Sequence, residues 1–345
     1  MMSSSSNRAT LELSNGVKMP AVGLGTWQAT SGDMTTAMHE ALSLGYRHFD
    51  TAILYENERP IGGVLNYWME QGRIRRDELF VTTKLPPTGM YPGKVEPYLR
   101  KSLENLMLDY VDMYLVHCPN GIKRDEENTA VEDTQVDHVA IWKEMEALVD
   151  CGLTKAIGIS NFSLEQIASL VKNCRIRPMN LQTELHVYFQ QKELVEFCHG
   201  HGITVVACSP LGSPGLTAFY SGYGVVKNVP NLLELPLLTE MAKRYDRTAA
   251  QIMLRHTVQK GVGVIPKSTS PKRMKENLEV LDFELTTEDM EKLSALDMGT
   301  SGQITKWESW TWVENDPSGT PSHHAPQEKK RTSTNKSEET SSTSS

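Results

Sequence analysis

Apolar residues recur along this chain in eight short, β-branched or aromatic runs, each bounded by turn or helix signals. The runs are AVGLGTW (21–27), YRHFDTA (46–52), LFVTTKL (79–85), VDMYLVH (111–117), KAIGISN (155–161), MNLQTEL (179–185), ITVVACS (203–209) and GVGVIPKS (261–268). Between them the spacing changes to the i, i+3, i+4 rhythm of amphipathic helices, as in 35–45, 94–107, 140–152 and 164–174. Strands that alternate with helices predict parallel pairing with helical crossovers. Eight such alternations are what a closed (β/α)₈ TIM barrel requires. Ahead of them, LELSNGVKMP carries Asn15-Gly16 between two apolar stretches, a two-residue hairpin signal that places a β-hairpin where it can plug one barrel end. Residues 121–138 are polar and acidic and read as a loop over the C-terminal face, while 211–231 is long, glycine-rich and proline-punctuated, as lids are. The expected organisation is a flexible N-terminus (1–9), a barrel (10–300), a C-terminal loop (301–317) and a Ser/Thr/Lys/Glu-rich tail (318–345). That tail has too few apolar residues to offset its ordering entropy, so it is expected to be disordered.

In a parallel barrel the C-terminal strand ends meet on one face, where active sites are built. Asp50, Lys84 and His117 each stand near the end of such a run, and Tyr55 follows Asp50 by five positions. Taken singly, each reads as a cap, a surface charge or a packing residue. As a set at neighbouring strand ends they can converge. A lysine beside a tyrosine favours the phenolate, an aspartate orients that lysine, and a histidine can donate to a carbonyl oxygen.

Charge and cysteine content narrow the function classes. A net charge of −8 and a pI of 5.7 speak against a general nucleic-acid binder, though not against a local basic pocket for a phosphate. The five cysteines are odd in number, widely spaced and without a CxxC pair, so neither a disulfide framework nor a zinc site is supported, and no metal is implied. A reducing, cytoplasmic setting fits, since the N-terminus has no apolar signal core and no run approaches a membrane span.

Gly23-Leu-Gly25 runs on as Thr-Trp-Gln, so no complete GxGxxG is present and a Rossmann reading is disfavoured. IPKSTSPKRMKEN (265–277) instead ends a strand and enters a helix with Lys267, Ser268 and Arg273 close by. A helix start with two cations suits a phosphate; a plain helix cap with solvated cations is the competing reading. The segments GLGTW, FDTAILYENE, LFVTTKL, VDMYLVH, KAIGISNF, LQTELH, SPLGS and IPKSTSPKRMKEN together resemble the aldo-keto reductases, over roughly residues 10–298. By that resemblance Asp50, Tyr55, Lys84 and His117 match the catalytic tetrad, with Tyr55 as general acid and His117 holding the substrate carbonyl. The resemblance also implies NADPH/NADP⁺ as cofactor. Lys267, Ser268 and Arg273 match the grip on its 2′-phosphate, and Glu276 and Asn277 face the adenine. Ser160, Asn161 and Gln182 match the carboxamide site, and Thr26, Ser209, Leu211 and Ser213 line the pyrophosphate. A small carbonyl substrate and a monomer, with neither nucleic acid nor membrane as partner, complete the expectation.

Three positions depart from the family pattern. Cys208 stands where an aromatic usually stacks on the nicotinamide, Cys118 where a tryptophan often follows the histidine, and Pro86-Pro87 where an aromatic is common. The pocket is therefore expected to be less aromatic, with Trp27 as its main remaining wall. The C-terminal Trp307, Trp310 and Trp312 either line the pocket or anchor the tail. Cys208 also keeps a second class open, a nicotinamide-binding regulatory or structural protein with slow turnover. An isomerase or aldolase using a lysine Schiff base would leave the cofactor segments unexplained.

Overall fold

The structure is a computed structural model that describes residues 9–125, 129–222 and 228–305. Its twelve strands run β1 (Thr10–Glu12), β2 (Lys18–Pro20), β3 (Leu24–Gly25), β4 (His48–Asp50), β5 (Phe80–Leu85), β6 (Met113–Val116), β7 (Gly121–Arg124), β8 (Ala130–Asp133), β9 (Ile157–Ser160), β10 (Asn180–Glu184), β11 (Thr204–Cys208) and β12 (Val262–Val264). Eight of these pair in parallel in the order β12-β11-β10-β9-β6-β5-β4-β3. Val264 N donates to Ala21 O at 2.8 Å and Gly23 N to Val264 O at 2.9 Å, and these bonds close β12 back onto the stretch that leads into β3. A side chain at Gly25 would put its Cβ 2.5 Å from the Ile265 carbonyl oxygen, so this seam needs glycine. The fold is thus the (β/α)₈ barrel that the alternation predicts, and each of the eight apolar runs contains one barrel strand.

Every residue of β4, β5, β6, β9, β10 and β12 is buried, since the crossover helices cover one sheet face and the lumen fills the other. That is why these strands read as continuous apolar runs rather than alternating ones. The helices end on chemistry visible in the sequence: Thr30, Ser163, Thr248, Ser270 and Thr286 cap N-termini with their hydroxyls, and Gly45 takes the left-handed conformation at a C-terminus.

The β1–β2 hairpin closes the end opposite the site. Leu13 and Met19 pack against Phe80, Met113 and Met179 at the barrel floor. Its turn differs from the two-residue form. Leu13 N donates to Val17 O and Gly16 N to Leu13 O, which leaves a three-residue loop, Ser14-Asn15-Gly16, with Gly16 at φ 82°. Asn15 spends its amide on Lys155 O at 2.9 Å, a contact across the floor.

Two connections are more ordered than the polar pattern suggests. Within 121–138, β7 and β8 form a second hairpin, and Ile122 and Ala130 bury themselves against Leu54. Within 211–231, Leu216–Gly222 is helical, with Leu216 in a satellite core beside Leu232, Leu238 and Ile304. The expectations for residues 1–8 and 306–345, which include the three tail tryptophans and the disordered tail, lie outside the described residues. Among the described residues no helix is long and apolar enough to cross a membrane.

Candidate active site

Asp50 ends β4, Lys84 lies near the end of β5 and His117 follows β6 directly. Because β4, β5 and β6 are consecutive neighbours in the barrel, the three side chains are delivered to one sector of its lumen. Tyr55 arrives by a short 3₁₀ turn, Ile53–Tyr55, that leaves β4 and folds back over the strand ends. Asn57 fixes this turn, since its amide donates to Thr26 O at 2.8 Å and its carbonyl accepts from Thr51 Oγ1 at 3.0 Å.

Lys84 is fully buried and spends its ammonium on three acceptors: Asp50 Oδ1 at 2.6 Å, Thr51 O at 2.8 Å and Tyr55 Oη at 3.3 Å. Asp50 in turn accepts from Gln182 Nε2 through Oδ2 at 2.6 Å. His117 Nε2 is 3.5 Å from the Tyr55 hydroxyl, with the rings edge to face at 5.7 Å. All four residues expected to converge do so.

The electrostatics follow from burial and this one ion pair. Burial pushes the Tyr55 phenol up to about 12 and outweighs the opposing pull of the Lys84 charge. The phenol therefore holds its proton at neutral pH, although Lys84 acts in the phenolate direction as expected. Burial works to lower Lys84, but the Asp50 carboxylate and Tyr55 overcome it, and the ammonium ends above its usual value. Burial, with the Lys84 charge, carries His117 well below its ordinary value, so its ring is neutral. The site is a protonated phenol flanked by a fixed cation and a neutral imidazole.

A cavity of about 580 Å³ opens over this group. Asp50, Tyr55 and His117 line one part of it, and Lys84 lies behind them. Thr26, Ser160, Asn161, Gln182 and Cys208 continue the wall along the strand ends, and Ser209, Leu211 and Ser213 follow on the next loop. Lys267, Ser268, Arg273, Glu276 and Asn277 line its far part, where the helix Pro271–Leu278 begins. Every expected site residue except the buried Lys84 thus faces one continuous space. Gln28, Asn161, Ser209 and Ser213 border it with φ near 50–60°, left-handed conformations that non-glycine residues hold only where surroundings enforce them.

The far part has the chemistry of an anion site. Partial desolvation and the charge of Arg273 both lower Lys267, with Asp33 opposing. Among the described residues neither Lys267 nor Arg273 has an ion-pair partner. Two cations held side by side at a helix start fit a phosphate bearing two negative charges. Near the tetrad, Asn161 Nδ2 donates to His117 O and Ser160 Oγ, both at 3.0 Å. Gln182 has its amide nitrogen on Asp50, so its amide oxygen is the group left to meet a ligand.

The aromatic wall is as sparse as expected: among the described residues, Trp27 and Tyr55 are the benzenoid rings lining the cavity. Cys118 is buried outside it, with its thiol on Asn120 O at 3.3 Å, and Cys208 faces into it. Sequence reasoning passed over Asn57, which pins the tyrosine turn, and Thr248–Ala250 at a helix start, which also line the cavity. It also missed Glu184, two residues beyond Gln182 on the same face of β10. The motif FDTAILYENE carries Asn57, and LQTELH carries Glu184, but neither could be given a partner from spacing alone.

The sequence pattern of the aldo/keto reductase family matches residues 21–298. The chain is 42% identical over 289 residues to aldo-keto reductase family 1 member A1-A of Danio rerio, covering 82% of this chain and 87% of that protein. It is 42% identical over 292 residues to aldo-keto reductase family 1 member A1 of Homo sapiens, covering 82% and 88%. Among solved structures, the aldose reductase from Schistosoma japonicum superposes with a TM-score of 0.76 at 38% identity, covering 84% of this chain and 93% of that one.

Proposed function

The chain belongs to the aldo/keto reductase family of oxidoreductases, and from that footing we propose that it reduces an aldehyde or ketone to an alcohol with NADPH, acting as a monomer on a small carbonyl substrate. The observation that carries this reading is the half-buried, protonated Tyr55 beside Lys84 and His117 at the floor of a cavity whose other end is cationic. That volume and polarity suit a dinucleotide with one extra phosphate. Lys267, Ser268 and Arg273 would hold the 2′-phosphate, Glu276 and Asn277 the adenine, and Thr26, Ser209, Leu211 and Ser213 the pyrophosphate. Ser160, Asn161 and the Gln182 oxygen would hold the carboxamide, whose NH₂ and carbonyl need both an acceptor and donors. When bound, the nicotinamide supplies a hydride for the carbonyl carbon.

The residues do the rest. The carbonyl oxygen is received between the Tyr55 hydroxyl and His117 Nε2, which lie 3.5 Å apart. Neutral His117 donates a hydrogen bond without releasing its proton. Tyr55 gives its proton to the oxygen as negative charge grows there. Lys84, at 3.3 Å, stabilises the phenolate left behind. Asp50 and the Thr51 carbonyl keep the ammonium aimed at that oxygen and charged. A general acid positioned in this way contributes roughly 10²–10⁴-fold. The test is NADPH consumption, followed by its absorbance, with a panel of aldehydes. Native protein should turn over, and Tyr55→Phe should bind NADPH normally while losing most of its reductase activity. Near-native turnover by Tyr55→Phe rules Tyr55 out as the acid.

A further inference from the structure

Glu184 is a buried carboxylate on the lumen wall that the tetrad does not use. It follows Gln182 by two residues on β10, so both face inward, and it pairs in register with Cys208 on β11. Its oxygens accept three bonds. Ile304 N donates to Oε1 at 2.6 Å, Thr305 N donates to Oε2 at 2.8 Å, and His186 Nε2 lies 3.0 Å from Oε1. Burial opposes its charge, but these donors prevail and keep the carboxyl below its usual value, so it is ionised. Charge-assisted bonds to backbone amides are stronger than neutral ones. A carboxylate inside a barrel mouth is costly unless it has such donors.

The two amides belong to a segment more than a hundred positions away in sequence. The same segment is seated by shape. A side chain at Gly302 would overlap the Tyr188 carbonyl oxygen, and Met298 N donates to that oxygen at 2.9 Å. Ile304 is buried in the satellite core with Leu216 and Leu232, against which Trp27 packs. Thr305 lines the cavity opposite strand ends that carry the catalytic group. Thus one carboxylate sets the position of Ile304 and of Thr305, the last residue in sequence that lines the cavity among the described residues.

We propose that Glu184 is a positioning residue for substrate selection: it pins Ile304 and Thr305 across the barrel mouth, and so fixes the wall that a bulky carbonyl substrate packs against. The proposal rests on the reductase reading for its kinetic consequence and on geometry alone for the anchoring. Glu184→Gln keeps the shape but offers one acceptor oxygen where the two amides need two, so one buried N–H loses its partner. Ile304→Pro removes a donor from the opposite side and, with it, the Ile304 side chain from the satellite core, while leaving the barrel strands as they are. Gln303, at φ −64° and ψ 125°, already has the conformation that a following proline requires.

The expected result is a split by substrate size. With a bulky aromatic aldehyde, KM rises about tenfold in each variant, the size of one charge-assisted bond. With a small aliphatic aldehyde kcat stays within about twofold, and NADPH affinity, read by quenching of tryptophan fluorescence, is unchanged. The two changes should be non-additive, with the double variant losing less than the product of the two single losses, because both act on the bond between Glu184 and the Ile304 amide. Amide hydrogen exchange at Ile304 and Thr305 supplies a readout independent of turnover, and protection there should fall in Glu184→Gln. Retained protection overturns the anchoring. Equal losses on small and bulky substrates, or none on either, overturn the role in selection. If native protein consumes NADPH with no carbonyl compound, the reductase reading fails, while the exchange measurement still decides the anchor.

Discussion

Replacing Lys84 by methionine separates what the buried ion pair does for folding from what it does for proton transfer. Methionine matches the length and volume of the lysine stem, so packing around β5 is nearly conserved. What changes is electrostatic. Asp50 loses its 2.6 Å partner and keeps only the Gln182 amide, while lying 2% exposed in the lumen. Breaking a buried pair from one side typically costs about 3–5 kcal/mol, because an uncompensated charge remains. Removing both charges in Asp50→Asn/Lys84→Met leaves no such charge, so at least half of that loss should return. Turnover should not return. Without the ammonium at 3.3 Å the phenolate formed on proton release is unsupported, and both variants should lose roughly 10²–10⁴-fold in kcat. Urea unfolding followed by tryptophan fluorescence gives the first quantity, and NADPH consumption gives the second. The pH dependence of the stability term has a definite sign. The folded pKa of Lys84 is raised, so the pair's contribution is fully present below the unfolded lysine value of about 10.4 and is lost only as pH rises through the folded one. The native–variant difference should therefore be flat from pH 6 to 9 as far as Lys84 is concerned. A Lys84→Met protein as stable as the native one, or a double variant no more stable than the single one, refutes the ion-pair argument. Turnover within about threefold of native refutes the catalytic half.

Two further outcomes follow from other parts of the molecule. Arg273→Ala should weaken NADPH about tenfold or more and leave NADH nearly unchanged, since a charge-assisted contact to phosphate is worth about 1.5–3 kcal/mol; equal affinity of native protein for both dinucleotides contradicts the phosphate assignment. His48, His117 and His256 are buried with their pKa values lowered mainly by burial, His256 to about 3, so each binds its proton in the unfolded chain first. Stability should therefore fall as pH drops below about 6.5, by up to about 1.4 kcal/mol per pH unit for each group. Urea midpoints at pH 7, 6 and 5 check this, and His256→Gln should shallow the slope by about one proton; an unchanged slope excludes His256 from it.

The local problems of this fold were legible in the sequence because they are local. Continuous β-branched runs marked buried strands, i, i+3, i+4 apolar spacing marked the helices between them, and eight alternations left a closed barrel as the consistent arrangement. The convergence of these side chains was legible because a parallel barrel sends every strand end to one face, so Asp50, Lys84 and His117 needed only their places at those ends to be brought together. Conformations that depend on a distant partner were not legible. Asn15-Gly16 read as a two-residue turn, whereas in the fold Leu13 and Val17 bracket a three-residue loop whose Asn15 bonds Lys155 O, 140 positions away. The acidic stretch 121–138 read as a loop because its apolar contacts, Ile122 and Ala130 on Leu54, lie on another connection. The balance on Tyr55 was likewise a matter of burial: spacing implied that a cation would favour the phenolate, but only the packed lumen set desolvation above the pull of Lys84. Glu184 shows the division most clearly. Its place on β10 was fixed by the strand pattern, but its partners are two backbone amides some 120 residues later, and a backbone amide leaves no mark in a sequence.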